Sequence, residues 1–295
     1  MENTEPLVAI IIVNYNGTTD THDCVESIIE NEYQNYRIII VDNGSNREQV
    51  EQLRDDQIIQ SNSIVIYEKK NGGFSEGNNI GIRYAKEIEA EYVLLLNNDT
   101  IVTKRFLRPL VECAISHDRS IVSGSIKYYS DKGKFWYAGG DYNYNTGLTT
   151  MTTHKEEYGK EYVEVSFATG CLMLIPMQFI NRCGLLSEKF FLYSEDTEYC
   201  LRALRNGYKI LWKPDSLIYH KVNSSTGKNS PLQQYYLTRN DLIITDELSN
   251  DKKRSFIRLM VFCIKRIVKG DYQLRPVFDA IQDYRKGITG RSTKY

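Results

Sequence analysis

Four short apolar runs mark the first hundred residues: Val8 to Val13, Arg37 to Val41, Ile64 to Tyr67 and Tyr92 to Leu96. Each is continuous and rich in β-branched or aliphatic side chains, the pattern of a strand covered on both faces. Between them lie amphipathic stretches, one placing Val25, Ile28 and Ile29 on a face and another placing Tyr84, Ala85 and Ile88 on a face. This βα alternation predicts an α/β fold with a doubly wound, mainly parallel sheet flanked by helices. Ligands of such sheets bind beyond the carboxyl ends of the strands, and the residues that follow these runs are polar.

The second half is less regular. Turn signals fall at Gly139-Gly140 and Gly147, an apolar run from Cys171 to Ile175 stops at Pro176, and a helical pattern from Thr197 to Asn206 ends at Gly207. These segments are expected to add mixed or antiparallel strands to the same sheet. From about Pro231 the pattern is helical, and between Lys252 and Arg275 it is both basic and apolar. The expected organisation is therefore a main domain over residues 1–230, with a nucleotide-binding half (1–100) and an acceptor-binding half (101–230), followed by a basic helical extension (231–295).

Of 295 residues, 41% are hydrophobic, enough for a sizeable core. The 37 basic and 38 acidic residues nearly cancel, which argues against general nucleic-acid affinity. The start, Met1 to Pro6, is polar and acidic where a secretory signal would be basic and then apolar. No apolar run approaches the roughly 18 residues of a membrane span. A cytoplasmic protein is expected. Six cysteines without a C-x-x-C pair give no sign of a zinc knuckle or redox dithiol.

The candidate chemistry follows the strand ends. The first strand leads into Asn14 and the second into Asp42, whose carboxylate fits either a nucleoside contact or a turn bonded to its own backbone. The third loop, Asn71 to Gly81, contains Gly72 and Gly73, which permit close backbone approach, and enters a helix near Ser75. Free N–H groups there suit a diphosphate, although a glycine loop capped by Ser75 gives the same pattern. The fourth strand runs into Asn97-Asn98-Asp99, where a carboxylate is placed to hold a divalent cation against phosphate oxygens. Glu195, Asp196 and Glu198 open a helix behind Phe190 and Phe191. One of them is a candidate base for an acceptor hydroxyl, while acids are also welcome in any first helical turn. His220 is either a ligand or a packed histidine. Arg239, one turn after Tyr235, either pairs with phosphate or lies on a solvated face.

The ordered set VNYNG, VDNGS, NGGFSEGNNIG, NND, ATGCLML, FFLYSEDTEYCLR, a histidine after the next strand and YYLTRN resembles the family 2 glycosyltransferases. It looks most like their rhamnosyltransferase-like and galactofuranosyltransferase-like branch, from about Leu7 to Asn240. The resemblance implies a GT-A fold and an inverting transfer from a nucleoside-diphosphate sugar, dTDP-rhamnose first and otherwise a UDP-sugar, to a glycan or lipid-linked acceptor. Asp42 would meet the base, and Asn14, Asn71, Gly73, Asn79, Asn98 and Arg239 would serve the donor. Asp99 and His220 would hold Mn2+ or Mg2+, Asp196 would be the catalytic base, and Glu195, Thr169, Gly170 and Cys171 would face the acceptor. One departure is Asn97, which stands where the family's D-x-D motif has its first acid.

Two other functions compete. A nucleotidyltransferase would carry a basic, glycine-rich loop after the first strand, and Asn14 to Asp20 has no lysine or arginine. A non-catalytic sugar-nucleotide binding module would tolerate loss of Asp196. The basic tail has two open readings, a helix on an anionic membrane surface or one packed on the main domain.

Overall fold

The computed structural model describes residues 5–222, 230–249 and 251–295, so most of the Met1–Pro6 stretch lies outside the described residues. The amino-terminal part alternates strand and helix: β1 (Val8–Asn14), α1 (Thr18–Ile29), β2 (Tyr36–Asp42), α2 (Arg47–Asp55), α3 (Gln57–Asn62), β3 (Ser63–Tyr67), α4 (Gly73–Glu87) and β4 (Tyr92–Leu96). Then come β5 (Thr100–Val102), α5 (Leu107–Ser116), β6 (Ser120–Tyr128), β7 (Phe135–Tyr137), β8 (Asp141–Asn143), β9 (Leu148–Thr150), β10 (Val163–Val165), β11 (Leu172–Pro176), α6 (Met177–Cys183), α7 (Glu195–Arg205) and β12 (Lys209–His220). Helices α8 (Pro231–Leu248), α9 (Lys252–Val268) and α10 (Leu274–Arg285) close the chain.

The main sheet runs β10-β12-β6-β11-β4-β1-β2-β3. The four apolar runs become parallel neighbours, with Asn14 opposite Asp42 at the ends of β1 and β2. Val8 to Ile12 are fully buried, as a strand covered on both faces requires, and Val8 and the three isoleucines each contribute roughly 1.5–3 kcal/mol of burial. Of the predicted α1 face, Val25 and Ile28 are buried, but Ile29 is 40% exposed because its position is rotated about 100° from Ile28.

Strand directions decide where the second half delivers its residues. β11 pairs antiparallel with β4 and with β6, and β12 pairs parallel with β6. Consequently β4, β6 and β12 all point the same way as β1. The carboxyl end of β12, at His220, and the amino end of β11, after Thr169-Gly170-Cys171, lie along the same sheet edge as Asn14, Asp42 and Asp99. Helix α8 packs back on this body through Ile243 and Ile244 against Tyr142, Phe190 and Leu201.

Candidate active site

A continuous series of adjacent residues and hydrogen bonds crosses that edge. Asn14 Nδ2 donates to Asp42 Oδ1 at 2.8 Å, and Asn14 Oδ1 accepts from Thr21 Oγ1 at 2.9 Å. Thr21 Oγ1 accepts in turn from Asn98 Nδ2 at 3.1 Å, tying the loop after β1 to the loop after β4. Next to Asn98, Asp99 Oδ1 lies 3.0 Å from His220 Nε2. Asn97 N donates to Cys171 O, and Gly170 N donates to Asp196 Oδ2 at 3.1 Å.

Asp42 is fully buried, and its second oxygen accepts from Ser45 N at 3.2 Å, so the turn contact and the buried position after β2 coexist. Its neighbour Asn43 takes Gly72 N on Oδ1 and gives Nδ2 to Gly73 O, gripping the glycine loop from below. Asn71 Oδ1 accepts from Gly73 N at 2.8 Å, and Phe74 N donates to Phe191 O. Helix α4 thus begins at Gly73, two residues before Ser75, with Gly72 as its cap residue. Ser75 is buried in the first turn and caps nothing, and two of the N–H groups expected for an anion already have protein partners.

Asn79 and Arg239 do not join the edge. Asn79 exchanges hydrogen bonds with the backbone of Leu186 and donates to Glu188, so it fastens α4 to the segment before α7. Arg239 is fully buried: its guanidinium lies over the rings of Tyr235 and Tyr236 and donates to Gly290 O at 2.8 Å. It does not lie on a solvated face. Guanidinium stacking on aromatic rings with a carbonyl partner supports the carboxyl-terminal tail instead. That tail returns Arg291, unmarked by any sequence motif, to the glycine loop, where its guanidinium donates to Asn71 O.

At the start of α7, buried Glu195 stands beside half-buried Asp196. Burial pushes both carboxyls above their usual range, and for Glu195 the neighbouring Asp196 charge adds to the effect. Hydrogen bonds from Gly170 N and Thr197 N work the other way on Asp196, and Glu195 Oε2 has no hydrogen-bond partner among the described residues. The turn before them carries two consecutive left-handed residues, Tyr193 (φ 67) and Ser194 (φ 69), a conformation non-glycine residues seldom adopt. Asn240 holds it by donating to Leu192 O at 2.9 Å and Tyr193 O at 2.7 Å. Asp241, also on α8, accepts from Ser194 Oγ, and burial followed by the Asp196 charge pushes it up to about 7. Both α8 residues escaped the sequence reading, although Asn240 ended a quoted motif.

The Asp99–His220 pair fits a divalent cation. Two ligand atoms at right angles around an ion at about 2.1 Å stand about 3.0 Å apart, the separation of Asp99 Oδ1 and His220 Nε2. Burial pulls the His220 ring down, but the Cys171 sulfur and the Asp99 carboxylate outweigh it and push it up to about 10. Trp136 meets the ring edge-on with centroids 4.5 Å apart.

The profile described as glycosyl transferase family 2 matches residues 9–184, more than half of the chain. The chain belongs to this family. The matched region carries the loops from Asn14 to Cys171 and stops before Asp196 and His220. The transferase is 24% identical over 242 residues to a protein named dTDP-rhamnosyl transferase RfbF from Shigella flexneri, covering 79% of this chain and 78% of that one. It is 28% identical over 285 residues to the low-salt glycan biosynthesis hexosyltransferase Agl10 of Haloferax volcanii, covering 94% and 87%. The fold superposes on GalNAc-T7, a structure solved with UDP, GalNAc and Mn2+, with a TM-score of 0.66 at 19% identity. That match covers 84% of this chain but only 49% of GalNAc-T7. The transferase therefore has the GT-A fold, with a rhamnosyltransferase-like sequence and a helical carboxyl-terminal region.

Proposed function

We propose that this glycosyltransferase moves one sugar, with inversion, from a nucleoside diphosphate carrier to a hydroxyl of a glycan or lipid-linked glycan used in cell-surface polysaccharide synthesis. The observation that supports this most is the continuous series of contacts joining Asp42, Asp99 and Asp196 on one sheet edge. In this reading Asp42 and Asn14 face the nucleoside, and Asn71, Gly73 and Asn98 shape the donor loops. Asp99 and His220 hold Mn2+ or Mg2+, which when bound offsets the negative charge gained by the leaving diphosphate.

Asp196 accepts the acceptor's proton as its oxygen attacks the anomeric carbon, and burial raises its basicity toward that task. Gly170 N holds one of its oxygens, and Thr169, Cys171 and Glu195 line the acceptor side. dTDP-rhamnose is the first donor candidate because of the similarity to the RfbF protein. A UDP-sugar is the second, after the UDP carried by GalNAc-T7. A thermal-shift screen of nucleotide sugars with and without Mn2+ or Mg2+, followed by transfer assays, tests the reading. No stabilisation by any nucleoside diphosphate sugar would remove it. A binding module would keep its function in Asp196→Asn, whereas this reading has that variant bind donor without transferring.

A further inference from the structure

Helix α9 has two apolar faces. Its inner face, with Leu259 and Cys263, packs against Leu242 of α8 and Val277 of α10. On the outer side Ile257, Val261, Ile264 and Val268 are 52%, 44%, 58% and 82% exposed. Their spacing of four, three and four residues confines them to a stripe about 60° wide, opposite the packed face. A helix whose inner face already serves the core needs no second apolar stripe, and such a stripe marks an interaction surface.

Charge identifies what this stripe meets. From Lys252 to Gly270 the chain contains no aspartate or glutamate but seven lysines and arginines. Arg254, Arg258, Lys265 and Lys269 fall beside the stripe on one flank and Lys253 on the other, as helical rotation places them. Arg258 also donates to Asn145 O, whereas Lys253, Arg254, Lys265 and Lys269 are exposed. An apolar stripe bordered by cations and lacking anions fits the headgroup and upper acyl region of an anionic bilayer. A second copy of the chain fits poorly, because a two-fold contact would set one acid-free basic helix against another. Among the described residues no helix is long and apolar enough to cross a membrane.

We infer that the outer face of α9 is a membrane-docking surface that lies in the interface of anionic lipid. Docking would anchor the helix layer that supports the site, since α9 packs on α8, whose Asn240 and Asp241 hold the turn before Asp196. Only that last consequence rests on the function proposed above. The surface itself does not.

Co-sedimentation of the full chain with vesicles tests it in the absence of any nucleotide or acceptor, so its failure is separate from failure of the transferase reading. The wild type is expected to bind vesicles containing about one-third phosphatidylglycerol at least tenfold better than pure phosphatidylcholine, and less well at high salt. Two folded variants, Ile257→Ser/Val261→Ser/Ile264→Ser/Val268→Ser and Lys253→Glu/Lys265→Glu/Lys269→Glu, are each expected to lose about tenfold in binding. Circular dichroism and melting temperature check their fold. The inference is overturned if the wild type ignores anionic vesicles or if the stripe variant binds like wild type. It is equally overturned if sedimentation velocity shows a wild-type dimer that the stripe variant dissolves, since the stripe then belongs to a second copy.

Discussion

The side-chain amide of Asn240 donates to the carbonyl of Tyr193 at 2.7 Å, from a fully buried position on α8. The same nitrogen reaches Leu192 O, so one side chain from the carboxyl-terminal region fixes the left-handed turn that launches Asp196. Replacement by alanine leaves two carbonyls short of a donor, at roughly 1–3 kcal/mol for a buried orphan. Asn240→Ala is therefore expected to lose stability on that scale in urea titration. It should also lower kcat by about tenfold or more, because the turn it holds launches Asp196.

Asp196→Asn keeps the shape of the side chain and removes its basicity. Transfer should fall by about 10²–10⁴ while the thermal shift produced by donor nucleotide persists. In the wild type, the base acts only when deprotonated, and its folded pKa is raised by burial. Activity is therefore expected to decline as pH falls through that raised value, with the acid limb of kcat/KM lying above the ordinary aspartate value near 4. A limb at or below that value would contradict the environment described for Asp196.

Asp241 tests the same electrostatics through stability. Its folded pKa of about 7 exceeds the unfolded value near 4, so between these values the folded state holds more protons and stability falls as pH rises. Asp241→Asn should accordingly be more stable than wild type at about pH 8, by roughly 1–2 kcal/mol, and show no gain below about pH 4. Urea titrations at the two pH values measure this.

Chelation probes Asp99 and His220. Removing divalent ions is expected to lower transfer on the order of a hundredfold, with recovery on adding back Mn2+ or Mg2+. Asp99→Ala should fail to recover at the same ion concentration. Activity indifferent to chelator would assign the Asp99–His220 contact to structure alone.

Gly73 adopts a φ of +91°, and a Cβ there would stand 2.2 Å from Phe191 O. Gly73→Ala must therefore strain the backbone and break the contact between Phe74 N and Phe191 O. A loss of about 2 kcal/mol or more in stability, with weaker donor-induced thermal shift, is the expected result.

Local sequence determined much of this protein. Continuous apolar runs specified β1, β2 and β4, because a strand buried on both faces can carry few polar residues; the run of β3 also forms a strand, but at the sheet edge, where it is only half-buried. The glycine and acid motifs fell at the strand ends where a wound sheet exposes them. Tertiary structure decided which partner each polar group meets. It joined His220 to Asp99 across 121 residues, tied Asn79 to Leu186, and buried Arg239 beneath the tail. It also exposed a second apolar face on α9 that composition had left undivided. Periodicity reports burial and near neighbours; the choice among distant hydrogen-bond partners depends on strand order and direction, which no single segment encodes.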